Sequence, residues 1–152
     1  MADTYTVERS AIITAPAKDI YEQIIDLRNW RSWSPWDELD PDMDRTYSGA
    51  DSGVGAVYNW SGNRKAGEGR MEILDATEPS NVTIAVAFVK PFKSSSTTRF
   101  LLEPTEGATK VTWTMTGPKT TMVKVIGIFR SMDKMVGPDF EKGLRSLAVA
   151  TE

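Results

Sequence analysis

The feature that most constrains this chain is a series of short β-like segments that recurs about every ten residues from residue 45 onward. In Val82, Ile84, Val86 and Phe88, every second residue is large and apolar; the same holds for Val111, Trp113 and Met115, with Thr112 and Thr114 between them. Successive strand residues point to opposite faces, so each segment has one apolar and one polar face. Thr98, Phe100 and Leu102 repeat the pattern less cleanly. Segments at 45–48, 54–60 and 67–76 precede these, and turn residues such as Asp51-Ser52-Gly53, Ser61-Gly62-Asn63, Pro79-Ser80-Asn81 and Glu106-Gly107 separate the runs. The spacing predicts an antiparallel meander with a single apolar face, which requires a cover.

The end of the chain supplies that cover. Met122, Val125, Ile126, Phe129 and Met132 fall at helical spacings, and a second stripe, Phe140, Leu144 and Leu147, follows Gly137-Pro138. Proline inside a helix costs about 3 kcal/mol, so a stop near Met135 is expected, with a restart that places Pro138 in a first turn. At the other end, Tyr5 to Ile13 reads as a strand. Thr14-Ala15-Pro16 then opens a helix carrying Ile20, Ile24 and Leu27 and ending near Arg28-Asn29. The segment WRSWSPW, residues 30–36, holds three of the five tryptophans and leads into an acidic loop at 37–44.

At 152 residues the chain has the length of one ordinary domain, read as 1–152, with room for a real core. Its 18 basic and 21 acidic residues include no basic run longer than Arg64-Lys65, so a nucleic-acid partner is not expected. No window is apolar enough to span a membrane and the first residues lack a signal core, which gives the expectation of a cytoplasmic protein. The chain has no cysteine and no histidine. That removes thiolate nucleophiles, Ser-His-Asp logic and nearly all zinc chemistry, so no cofactor or metal is expected and any catalysis would rest on carboxylates, Lys or Tyr.

A specific resemblance emerges from the motifs in order. Ala15-Pro16, Trp30 with WSPW at 33–36, Asp40-Pro41, Gly53-Val54-Gly55, Trp60-Ser61-Gly62-Asn63, Gly67-Glu68-Gly69, Lys90-Pro91-Phe92, Val111 to Met115 and MDKMVGPDFEKGL at 132–144 resemble the SRPBCC superfamily in its polyketide cyclase-like, START-like branch. The resemblance covers about residues 4–149. It implies an α+β helix-grip fold: a curved antiparallel sheet of six or seven strands around a long C-terminal helix, with short helices after the first strand and a cavity between sheet and helix. It implies little about reaction, because that superfamily includes carriers, receptors, cyclases and chaperone-activating domains.

On the residues alone, Trp60, Met71, Phe88, Phe100, Trp113, Met115, Met132 and Phe140 read as a packed core; with the resemblance they read as cavity walls suited to an adaptable apolar ligand. Tyr58 joins them. Trp30 is expected to pack under the helices, with Trp33 and Trp36 closing the cavity mouth and Pro35 holding the turn. Glu68, Arg70 and Glu72 share the strand face opposite Met71 and Ile73 and read as an outer charge ladder, and Glu141 with Arg145 as a surface helix pair. Gly67-Glu68-Gly69 is assigned to strand curvature or a close approach. The run 119–130 mixes apolar residues with Lys119, Lys124 and Arg130; core packing is the leading reading and transient membrane or partner contact the rival. The leading function is binding, with transport or sensing as its uses, of a hydrophobic small molecule such as a lipid, fatty acid or aromatic polyketide-like compound. The alternatives are a cyclase, hydratase or isomerase using a carboxylate or Tyr58, and a protein-interaction or chaperone-assisting module with exposed tryptophans.

Overall fold

The computed structural model describes residues 4–35, 40, 42–63, 66–90, 93–118 and 128–152, with the backbone alone over 128–135. Among these residues, seven strands form one antiparallel sheet: β1 (Thr4–Ile13), β2 (Asp44–Gly49), β3 (Ala56–Ser61), β4 (Glu68–Thr77), β5 (Asn81–Lys90), β6 (Ser94–Thr105) and β7 (Ala108–Pro118). The order across the sheet is β1-β7-β6-β5-β4-β3-β2, so hairpins build everything except the pairing of β1 with β7. A short helix, α1 (Ala17–Ile25), and a 3₁₀ turn (Leu27–Ser32) follow β1, and a long helix, α2 (Ile128–Thr151), ends the chain. This is the helix-grip architecture.

Alternation sets the inner face as the sequence predicts. Val82, Ile84, Phe100, Leu102, Val111 and Trp113 are buried, whereas their neighbours turn outward. The β4–β5 pair has two register breaks, with an extra residue on β5 at Glu68/Gly69 and on β4 at Ile73/Asp75. An extra residue on one strand bends it and increases its local twist. Buried Thr109 donates its hydroxyl to the Ala15 carbonyl at 2.8 Å and ties the Ala15-Pro16 turn to β7.

Two helix boundaries differ from the sequence reading. α1 stops at Ile25, because Asp26 takes an extended backbone and its carboxylate accepts the Arg28 N–H at 3.0 Å, starting a 3₁₀ turn instead of another helical turn. α2 runs through Gly137 and Pro138 without the expected stop. Phe140, Leu144 and Leu147, at 1%, 2% and 0% exposure, seat the helix in the sheet, and burying each contributes about 1.5–3 kcal/mol, enough to offset the proline penalty. Glu141, expected to pair with Arg145 along the helix, instead accepts from Arg9 of β1 at 2.8 Å.

Candidate functional site

The WRSWSPW segment begins the site by finishing α1. A helix leaves its last four carbonyls without partners in the helix. Here Asn29 Nδ2 donates to the Glu22 carbonyl at 3.0 Å, Trp33 Nε1 to Gln23 at 3.0 Å, Trp30 Nε1 to Ile24 at 2.9 Å and the Gly53 N–H to Ile25 at 3.1 Å. All four carbonyls are satisfied, two of them by indoles. Donation fixes the indoles' orientation, and both rings are driven inward: Trp30 is 4% exposed and Trp33 is 2% exposed. They therefore offer no contact surface of the kind an exposed tryptophan cluster would.

Around them lies one of two aromatic groups. Trp30 and Trp33 sit 4.6 Å apart between ring centres and meet Phe100 and Trp113 edge-on at 5.7–6.3 Å. Trp113 stacks on Phe140 of α2 at 4.1 Å with the planes 6° apart. That close stack needs a bare helix surface beside it: a β-carbon on Gly143 would lie 2.6 Å from the Trp113 ring. The second group runs along the β2–β3 side of the sheet. Tyr47 stacks on its cross-strand partner Tyr58 at 5.1 Å, Tyr58 on Trp60 at 5.8 Å, and Trp60 meets Phe88 edge-on at 5.5 Å. Arg28 lies 5.1 Å above the Tyr47 ring and closes the outer end of the row. Trp60 is seated by Gly69, which faces it in register and where a β-carbon would meet the indole at 2.6 Å. Its Nε1 donates to the Ala66 carbonyl at 3.0 Å.

Between the two groups lies a cavity. Its described walls are Trp30, Trp113 and Phe140 on one side and Tyr58, Trp60 and Phe88 on the other, with Met43, Met71, Val86, Ser34 and Thr98 completing it. It leaves about 60 Å³ open to the centre of a water-sized sphere. A cavity that takes one benzene is about 150 Å³ and sites that enclose drug-sized ligands reach roughly 300–1,000 Å³, so even a compact aromatic molecule enters only as flexible walls such as Met43 and Met71 move. None of the described walls carries a carboxylate, ammonium or guanidinium group. Polarity comes from the buried Tyr58 hydroxyl and from Ser34 and Thr98, which are 4% and 5% exposed.

Of the residues expected in the cavity, Tyr58, Trp60, Met71, Phe88, Trp113 and Phe140 line it. Trp33, Phe100 and Met115 are buried but do not line it; Phe100 is enclosed by Trp30, Trp33 and Trp113, which leaves its faces no open side. Trp30, expected under the helices, lines the cavity, and Trp33, expected at its mouth, is buried against Trp30 without lining it. Trp36, the side chain of Met132 and the run 119–127 lie outside the described residues. Trp30, Ser34, Met43, Val86 and Thr98 enter the lining unannounced, although Val86 and Thr98 fall on the inner face that alternation marks.

Three carboxylates near the site, the ladder acids Glu68 and Glu72 and Asp26 after α1, have structural places. Glu72 pairs with Arg70 at 3.2 Å on the outer face, Glu68 accepts from the Ser61 hydroxyl at 3.4 Å, and Asp26 caps the 3₁₀ turn. Among the described residues no group of His, Cys, Asp and Glu is placed to hold a metal ion, and no helix is long and apolar enough to cross a membrane.

A family model described as "Polyketide cyclase / dehydrase and lipid transport" matches residues 4–152. No curated protein matches this sequence. Among solved structures, protein CV1439 from Chromobacterium violaceum is similar at a TM-score of 0.70 and 13% identity, covering 97% of each chain. The di-domain ARO/CYC StfQ from the steffimycin biosynthetic pathway is similar at 0.71 and 9%, covering 96% of this chain and 50% of that one. Ara h 8.0201 is similar at 0.57 and 15%, covering 88% of this chain and 97% of its own. At such identities these likenesses establish the fold alone.

Proposed function

Because the chain belongs to the polyketide cyclase / dehydrase and lipid transport family, of SRPBCC type, we propose that it binds a hydrophobic small molecule between sheet and C-terminal helix without transforming it. The observation that carries this reading is the lining: eleven described residues, aromatic, aliphatic or thioether apart from two small hydroxyls, with no charged side chain. Acid-base chemistry needs a proton donor or acceptor within reach of substrate, and no described wall residue is a carboxylate. The aromatic walls favour a flat ligand, since rings gain from stacked and edge-on contacts beyond the area they bury. Among the classes considered from sequence, a compact aromatic polyketide-like compound therefore fits better than an extended acyl chain. Carriage or sensing of such a molecule is the use we assign to the protein.

The test is to purify the protein, denature it and identify released compounds by mass spectrometry, alongside titration with the neutral two-ring fluorescent probe 1-naphthylamine. Release of an apolar compound, or probe binding that apolar compounds displace, is expected. If nothing copurifies and the probe stays in solvent, the reading is wrong.

One observation favours a second reading. Tyr58 places a phenolic hydroxyl in the wall, the one described side chain there that can exchange a proton, as a cyclase or dehydratase would require. Tyr58→Phe decides between the two: a carrier keeps its ligand, whereas an enzyme loses turnover and accumulates bound substrate.

A further inference from the structure

Thr98 stands near the middle of β6 with its side chain on the inner face, where it lines the cavity and is buried. Its neighbours continue the same chemistry away from the aromatic groups. Ser94 and Ser96 precede it at two-residue steps, so all three hydroxyls share the inner face, across from Phe88, Val86 and Ile84 of β5. Tyr5 of β1 reaches over β7 toward Ser96 on the strand beyond, whose side chain acts on the Tyr5 phenol. This crossing depends on Gly117, the register partner of Tyr5, where a β-carbon would lie 2.7 Å from the Tyr5 oxygen. The inner sheet thus changes along β6 from apolar at Phe100 to hydroxyl-bearing at Thr98, Ser96 and Ser94. Ser34 adds one further hydroxyl to the lining, from the segment after the 3₁₀ turn.

Building on the binding reading above, we propose that Thr98 is the polar anchor of the cavity. The ligand it selects is a neutral, oxygen-bearing aromatic molecule, a phenol or ketone of one or two rings, in preference to a hydrocarbon or an ionised carboxylate. A threonine hydroxyl both donates and accepts, so it serves either a phenol or a carbonyl oxygen. A carboxylate would be buried with no cationic side chain among the described walls to neutralise it, which strongly disfavours its charged form.

Two probes of the same shape separate anchor from cavity: 2-naphthol and 2-methylnaphthalene, with 2-naphthoate as the charged comparison, each titrated calorimetrically at neutral pH. Thr98→Val, which keeps the shape and removes the hydroxyl, is expected to weaken 2-naphthol about tenfold, the effect of one well-formed hydrogen bond, and to leave 2-methylnaphthalene unchanged. Thr98→Ser retains the preference, and wild-type protein binds 2-naphthoate more weakly than 2-naphthol. If Thr98→Val leaves the naphthol preference intact, or wild-type protein binds all three alike, the anchor is overturned while the apolar cavity stands. Tight naphthoate binding overturns the selection for neutrality. If wild-type protein binds none of the three, the binding reading falls with it.

Discussion

Gly69→Ala is the sharpest test of how the cavity wall is built. The new methyl would lie 2.6 Å from two ring atoms of Trp60 and 2.7 Å from the Ala87 carbonyl oxygen, closer than packed atoms tolerate. The backbone oxygen belongs to the β5 ladder and cannot yield, so the indole has to shift. Trp60 is held by Tyr58, Phe88 and its bond to Ala66, and overpacking such a site costs about 1–3 kcal/mol, with about 1 more for the strained indole hydrogen bond. Replacing a strand glycine returns about 0.5–1 kcal/mol of backbone entropy. The expected net is a loss of about 2 kcal/mol, or a fall of about 4–8 °C in melting temperature for a chain of this size. Urea and thermal denaturation followed by tryptophan fluorescence measure it. The clash account adds a stricter requirement: in a Trp60→Phe background the smaller ring removes the indole part of the clash, so Gly69→Ala should cost clearly less there, the remainder coming from the approach to the Ala87 oxygen. If Gly69→Ala is as stable as wild type, or equally harmful with Phe at 60, the close seating of Trp60 on Gly69 is wrong.

Three further outcomes are expected. Phe140→Ala removes a ring stacked on Trp113 and lining the cavity, so it should cost about 3–5 kcal/mol; saturating toluene should raise the melting temperature of the variant by more than that of wild type. Trp33→Phe keeps an aromatic ring in place but orphans the Gln23 carbonyl, for an expected loss of about 2 kcal/mol in urea denaturation; an unchanged midpoint would mean the indole does not complete α1. Burial raises the Tyr5 phenol above its ordinary value of 10.0, against the lowering influence of Ser96. The folded state holds that proton more tightly than the unfolded chain, so the stabilisation is complete below the ordinary value and is lost as pH rises through the folded one. Tyr5→Phe should accordingly flatten the alkaline limb of a urea-midpoint profile above about pH 10, and an unaltered limb would refute the assignment.

Much of this fold is written in local pattern. Period-two alternation identifies the inner faces of β5, β6 and β7, and the stripe of Phe140, Leu144 and Leu147 identifies the face of α2 that seats in the sheet. The glycine pair at 67 and 69 signals curvature or close approach, and Gly69 has both, beside a register break and under Trp60. What the sequence hides depends on where the chain doubles back. No periodicity says that Trp30 and Trp33 will donate to carbonyls six and ten residues earlier, because only the 3₁₀ turn at Asp26 brings them there. Pro138 reads as a break since its local cost is visible, whereas the distant anchoring that outweighs it is not. Met43 and Ser34 lie outside any strand or helix, and their place in the cavity follows from how far the sheet curls.

The strand order has a consequence for the route by which this molecule assembles. β2 to β7 pair with their neighbours in sequence, so each hairpin can form as soon as its second strand exists. β1 pairs only with β7, Thr4 opposite Pro118, and must wait for the whole meander to be made. Closing so long a loop adds entropy cost before any contact repays it, and pairings of high sequence separation form slowly. During synthesis β1 and α1 are made first and docked last, with Ile13, Ile20 and Ile24 exposed for most of that interval.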